Sequence, residues 1–201
     1  MKNITQIKKS VFKTILVAST LFGVSCSNSQ KQEVESIADE HGEVQVDSNA
    51  TKDAQFLAKA AEINLEEIQL GKMAQQSSTR TDVKELGEMM EKEHTDCLKG
   101  LTVLANKKSV IIPTTLSNSA QDACKILNGK SGADFDVAYC EMMVNGHRDA
   151  IAMFEKVSTE STDADVKGWA GAILPDLHKH LEHAIKCQNK CVKNKVTASI
   201  H

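Results

Sequence analysis

The sequence predicts an all-α domain built from four long amphipathic helices, and three observations point there. Apolar residues recur at three-or-four spacing from Asp53 to Ala184, the 201 residues include two prolines, and aromatic residues make up 3% of the chain. Apolar spacing of that kind marks one face of a helix. Scarce proline permits long uninterrupted helices. Few aromatics argue against a β-sandwich, whose strands favour aromatic and β-branched residues.

The first helix carries Phe56, Ala60, Ile63, Glu67, Leu70 and Ala74 on one stripe and stops at Gln75-Gln76-Ser77-Ser78-Thr79. The second has Thr81 or Asp82 as its N-cap. Its stripe runs Val83, Leu86, Met90, His94, Cys97, Leu101 and Leu104. Lys107 and Lys108 close it with the charge a helix C-terminus favours. A connection from Ser109 to about Ser131 follows, opened by Pro113 and holding a short helix, Ser117 to Leu127, capped by Ser117 or Ser119. The third long helix starts near Asp134 with stripe Phe135, Tyr139, Met143, His147, Ile151 and Phe154. After Ser158-Thr159-Glu160-Ser161-Thr162 comes the fourth, with Val166, Ala170, Ile173, Leu177, His180 or Leu181, and Ala184; Pro175 inside it predicts a kink. Two short-turn hairpins joined by a link of more than 20 residues let the link run the length of the domain. Long helices two and three then lie parallel, which is the ferritin-like way of connecting a four-helix bundle.

The ends of the chain read differently. Residues 1–25 resemble a lipoprotein-type signal peptide: Lys2, Lys8, Lys9 and Lys13 are basic, and Thr14 to Val24 is apolar. That stretch is shorter than the ~20 apolar residues a spanning helix needs. Ser25-Cys26 is followed by polar Ser27-Asn28-Ser29-Gln30, so Cys26 is the expected lipidation site, although Gly23 stands where Leu or another aliphatic residue is usual. Plain secretion and an uncleaved anchor are the alternatives. Acyl chains on Cys26 would make the membrane a partner and place the protein in the cell envelope, at the outer membrane or its periplasmic face. Residues 26–51, rich in Gln, Glu, Ser and Asp, read as a flexible linker, 52–192 as the bundle and 193–201 as a disordered tail. With a net charge of −3 and a pI near 6.2, no basic face advertises nucleic-acid binding, and no nucleic-acid partner is expected. No feature of the sequence names a protein partner.

Several residues carry a resemblance. Glu67-Ile68-Gln69-Leu70-Gly71-Lys72-Met73-Ala74, Glu93-His94, Phe135-Asp136 with Tyr139, Met143-Val144 with His147, Leu174-Pro175 with Leu177, and His180-Leu181 together resemble the bacterial family of domains of unknown function numbered 4142. Its members are commonly labelled outer-membrane proteins and placed among ferritin-like folds. The resemblance covers roughly Asp53 to Cys187, and its most specific part is Phe-Asp-x-x-Tyr followed by His147; Glu93 stands where an Asp is usual. It implies a fold and an exported location, without an established activity.

Polar groups on the buried stripes supply the candidate site. Glu67, His94 and His147 lie on the apolar faces of three helices, with His180 on or beside that of the fourth. Metal sites in such bundles are built from inward Glu and His, often with a Glu three residues before a His, a spacing that Glu91-x-x-His94 has. An inward carboxylate with imidazoles suits Zn, Cu or Fe. The competing reading is a buried polar cluster whose members hydrogen-bond to one another or to Tyr139. At ~1.5 Å per residue, Glu67, His94 and His147 share one depth, whereas His180 falls ~10 Å away. Histidine nitrogens converging on one point would favour a metal, and rings turned outward or more than ~7 Å apart would exclude it. A diiron oxidase needs more carboxylates than the stripes offer.

A second, weaker candidate is His183, Cys187 and Cys191, spaced by four on one helix face, where thiolates with imidazole suit Cu(I) or Zn. Free structural thiols or disulfides are the alternative, with Cys124 and Cys140 the expected pair and Cys97 a buried apolar filler. No phosphate loop, nucleophile elbow or His-Glu-x-x-His motif is present, which weighs against an enzyme without deciding it. Three functions remain from the sequence: a lipid-anchored metal-binding or stress protein of the envelope, a structural or interaction module, and a redox enzyme with a dinuclear site.

Overall fold

A computed structural model describes residues 48–198 of the chain. The expected signal peptide, Cys26 and most of the expected linker lie outside the described residues. Those described form five helices and no strand: α1 (Ser48–Ser77), α2 (Thr81–Lys107), α3 (Asn118–Asn128), α4 (Gly132–Glu160) and α5 (Ala164–Ala198). Two boundaries move relative to expectation. α1 begins at Ser48, inside the stretch read as linker, and α5 runs on to Ala198, through most of the stretch read as a disordered tail. α5 is also unbroken at Pro175, which lies on its exposed side, where a lost helical hydrogen bond costs less than it would in the core.

Local chemistry accounts for the ends. Ser117 caps α3, its hydroxyl accepting from the Ala120 N–H at 3.2 Å. α2 starts at Thr81 with Arg80 in the cap position and no side-chain cap, so neither Thr81 nor Asp82 plays the expected role. Asp163 holds the start of α5 by accepting from the N–H groups of Asp165 at 2.9 Å and Val166 at 3.1 Å. Lys107 and Lys108, at the C-terminus of α2, reach Asp165 at 2.8 and 2.7 Å. Each charge thereby sits at the helix end whose dipole favours it.

The contacts define the topology. α1 pairs along α2 and α4 along α5, joined by the turns Ser78–Arg80 and Ser161–Asp163, while α1 also touches α4 and α2 touches α5. Across α1 and α4, Phe56 meets Phe154 and Ser78 meets Asp136, an antiparallel register. Since α2 is antiparallel to α1 as well, α2 and α4 run parallel, with the α3 connection between them. The Ser78 hydroxyl donates to Asp136 at 2.6 Å and accepts from the Arg80 N–H at 3.0 Å, so Asp136 pins the first turn onto α4.

Two apolar cores fill the space between the long helices. One gathers Leu70, Met73, Leu86, Met90, Phe135 and Tyr139 towards the Ser78–Arg80 turn. The other gathers Phe56, Leu57, Leu101, Phe154, Val166 and Leu177 towards the Ser161–Asp163 turn, with Trp169 packed edge-on against Phe56 and tilted against Phe154 at ring separations of 5.9 and 5.5 Å. A polar layer separates them. α1 and α2 approach most closely at Gly71 and Gly87: a Cβ on either would come within 2.6 Å of the other's carbonyl oxygen. Those oxygens belong to helix backbone and cannot swing away.

Gly71→Ala and Gly87→Ala should therefore destabilise the fold by about 1–3 kcal/mol in chemical denaturation, as overpacking does. Intrinsic helix preference alone would stabilise them by roughly 1 kcal/mol. A stabilised alanine variant would contradict the close crossing.

Candidate metal centre

The polar layer is built around three imidazoles. His94 comes from α2, His147 from α4 and His180 from α5, all buried, with ring centres 5.2–5.5 Å apart. One ring nitrogen from each lies within 4.8 Å of the other two. His180 thus belongs with the others, contrary to the depth expected from the sequence. That estimate counted the Ser161–Asp163 turn as helix. Measured from the helix ends, His147 lies ~20 Å into α4 and His180 ~24 Å into α5. The same count puts His94 and Asn64 each ~20 Å from the first turn, with Glu67 one helical turn shallower.

Asn64, not Glu67, accordingly meets His94. The Asn64 amide NH₂ donates to the Ala60 carbonyl at 2.8 Å, which turns its oxygen towards His94 Nδ1 at 3.0 Å. That oxygen only accepts, so Nδ1 carries the proton and Nε2 of His94 holds a lone pair. Nε2 is buried with no hydrogen-bond partner. His147 Nδ1 donates to the Met143 carbonyl at 2.8 Å, leaving its Nε2 bare. His180 Nε2 donates to a Glu93 carboxylate oxygen at 2.7 Å, leaving its Nδ1 bare. The two bare nitrogens of His147 and His180 stand 3.3 Å apart. In all three rings the outer nitrogen is tied to an acceptor and the inner one points at its neighbours.

Burial keeps this set neutral. Desolvation, then the neighbouring His147 and His180, holds His94 well below its ordinary value. Desolvation likewise brings His147 down to about 4 and lowers His180 despite the Glu93 carboxylate beside it. Glu93 stays ionised, its range lowered by hydrogen bonds from His180 and Lys179 that outweigh its own desolvation. Lys179 grips the same carboxylate at 2.9 Å.

Glu67 lies behind His147 and not among the converging nitrogens: its Oε1 is 3.9 Å from His147 Nδ1. Gly146 makes room for it, since a Cβ there would stand 3.2 Å from that oxygen. Burial, then the nearby Glu66, pushes the Glu67 carboxyl up to about 8. Tyr139 does not satisfy the cluster as expected; its hydroxyl and Glu67 Oε2 are both buried without a hydrogen-bond partner. Glu91 turns away as well, accepting from Gln75 at 2.7 Å.

The second candidate is rearranged more deeply. His183 is exposed, while Cys187 and Cys191 are buried and are joined by Cys140 from α4. The three sulfurs lie within 4.8 Å of one another, with Cys140 and Cys191 at 3.9 Å. All five described cysteines, Cys124 included, are free thiols, so the expected Cys124–Cys140 bond is not formed. Cys140 faces α5 because it precedes His147 by two helical turns. Among the described residues, these are the two clusters that gather three or more groups able to bind a metal.

The fold and site thus define an all-helical domain with a buried tri-histidine layer. The chain belongs to the family described as "Domain of unknown function (DUF4142)", which it matches over residues 27–187. It has no significant match among curated proteins and none among solved structures.

The protonated Glu67 generates a signed pH prediction for metal-free protein. The folded state keeps a proton that the unfolded chain releases above about 4.5, so Glu67 erodes stability as pH rises from there towards 8. Glu67→Gln should gain on the wild type by up to about 1.4 kcal/mol per pH unit across that window. Urea titrations at pH 5 and pH 8 check this, and a pH-independent difference would contradict it.

Proposed function

We propose that the domain holds one transition-metal ion on His94 Nε2, His147 Nε2 and His180 Nδ1. In this reading it is a non-enzymatic metal-holding protein of the cell envelope, its four long helices form a ferritin-like four-helix bundle, and a lipid on Cys26 tethers it to the membrane. The observation that carries the reading is geometric: one nitrogen of each ring converges on the other two, and the opposite nitrogen of each is held at 2.7–3.0 Å from an acceptor. Metal-bound histidines are oriented in this way by their outer hydrogen bonds.

The donor set selects the metal. Neutral imidazoles suit Zn²⁺ and Cu²⁺ and do not suit Mg²⁺ or Ca²⁺, which take oxygen. Metal–nitrogen bonds of ~2.0–2.1 Å place tetrahedral nitrogens ~3.3–3.4 Å apart; His147 and His180 offer 3.3 Å. A cavity of about 40 Å³ lies beside His94 and His180, on the side of their partners Asn64 and Glu93. A dinuclear redox centre is not favoured. Glu67 lies behind His147 and Glu93 behind His180, so neither carboxylate reaches between the nitrogens to bridge two ions.

The envelope location rests on the sequence: basic Lys2 to Lys13, apolar Thr14 to Val24, and Cys26 at the polar junction. No helix among the described residues is long and apolar enough to cross a membrane, which is compatible with attachment through acyl chains.

Metal content of the purified chain, after chelation and reloading with Zn²⁺, Cu²⁺ or Mg²⁺, tests the reading against a His94→Ala/His147→Ala variant. About one Zn²⁺ or Cu²⁺ per chain should depend on the histidines, with Mg²⁺ not retained. Zn²⁺ at a hundred times its dissociation constant should add about 2.7 kcal/mol. That raises the melting temperature by roughly 5–10 °C in a domain of this size. Equal metal in wild type and variant, or no uptake, would support a structural or interaction module instead.

A further inference from the structure

We propose a second, separate metal site: Cys140, Cys187 and Cys191 form a three-sulfur pocket for one thiophilic monovalent d¹⁰ cation, Cu(I). The pocket stands two helical turns from the histidines on both helices that build it. Cys140 precedes His147 by seven residues and Cys187 follows His180 by seven, ~10 Å along each axis.

Geometry is the first support. All three thiols are buried and mutually within 4.8 Å. A metal–sulfur bond of ~2.3 Å places sulfurs ~3.8 Å apart in a tetrahedral site and ~4.0 Å apart in a planar three-coordinate one; Cys140 and Cys191 stand at 3.9 Å. A disulfide needs ~2.05 Å, well below the 3.9 Å between Cys140 and Cys191.

The surroundings choose the ion. Leu86, Tyr139, Val144 and Ala184 pack in the same core, so the neighbourhood is largely apolar. The nearby carboxylates are engaged, Asp136 by Ser78 at 2.6 Å and Asp82 by Arg80 at 2.8 Å. Structural Zn²⁺ takes four ligands, whereas soft thiolates in a three-donor set suit Cu(I). Each thiol that binds as thiolate releases its proton to solvent, and the copper enters and stays as Cu(I), with no change of oxidation state.

The pocket also has an approach from outside. An open cleft of about 310 Å³ reaches Cys187 and is lined as well by Met89, His183, Asp82, Glu85, Lys186 and Lys190. The Met89 thioether and the His183 imidazole are donors a soft cation accepts, and Lys186 and Lys190 balance the carboxylates beside them.

The test titrates the full-length chain, kept reduced and anaerobic, with Cu(I) from a competing chelator of known affinity. A thiol-alkylating reagent and copper X-ray absorption provide the readouts. One Cu(I) should bind with sulfur-only coordination and protect Cys140, Cys187 and Cys191 from alkylation while Cys97 and Cys124 stay reactive. Cys140→Ala should weaken binding by more than the ~10–100-fold that loss of an outer-shell partner costs. His94→Ala/His147→Ala should leave it unchanged, so this site can fail independently of the histidine one. The sulfur-only coordination of the wild type, read by X-ray absorption, keeps the test decisive even if Cys140→Ala misfolds, since burial alone also slows alkylation of these thiols. Nitrogen or oxygen in the first coordination sphere, tighter binding of Zn²⁺ than of Cu(I) by the thiols, or protection lost in the histidine variant would overturn the proposal.

Discussion

Three imidazole lone pairs facing one another inside an apolar core are an unfavourable arrangement unless a cation joins them. Each ring could relieve the conflict by turning over, but its outer nitrogen is held: His94 by the Asn64 oxygen, His147 by the Met143 carbonyl, His180 by Glu93. Protonation is opposed by the desolvation that lowers all three rings. The acceptors behind the rings therefore fix how the three imidazoles face one another.

Holding that arrangement is the task of the helix pairs. The turns Ser78–Arg80 and Ser161–Asp163 bring Asn64 level with His94 and His147 close to the depth of His180. The contact of Gly71 with Gly87 draws α1 onto α2, and Asp136 fastens the first turn to α4 through Ser78. Phe-Asp-x-x-Tyr has a mainly architectural meaning here, since Phe135 and Tyr139 stack in the core with ring centres 6.4 Å apart. Lys179, by gripping Glu93 from outside, extends the chain of contacts from His180 to the surface. The centre is thus wired through charged and amide groups that lie outside the three converging nitrogens.

Much of the helical layout was legible because apolar spacing reports which face of a helix is buried. His94 and His147 stood out as polar residues on such faces, and the Ser117 cap follows from a hydroxyl placed before a helical run. What escaped depended on the turns. Counting Ser161–Asp163 as helix displaced His180 by a full turn and hid its meeting with His147. Asn64 sits beside the stripe, and only relative depth pairs it with His94. Glu67 looked like a ligand because it shares the stripe, yet a position one turn nearer the Ser78–Arg80 turn puts it behind His147. Cys140 was detectable in principle: it lies two turns from His147, as Cys187 does from His180, so both helices repeat the same offset. His183 was misplaced because four-residue spacing fixes neighbours on one helix without saying which side meets the next helix.

The central claim concerns proton positions, so ring-nitrogen NMR of the metal-free and Zn²⁺-loaded protein tests it most directly. The account predicts protonated Nδ1 in His94 and His147 and protonated Nε2 in His180 before loading. On adding Zn²⁺, the three opposite nitrogens should shift together, while the protonated ones keep their hydrogens. A proton found on His180 Nδ1 and shared with His147 Nε2, unmoved by Zn²⁺, would contradict it and make the cluster a structural one.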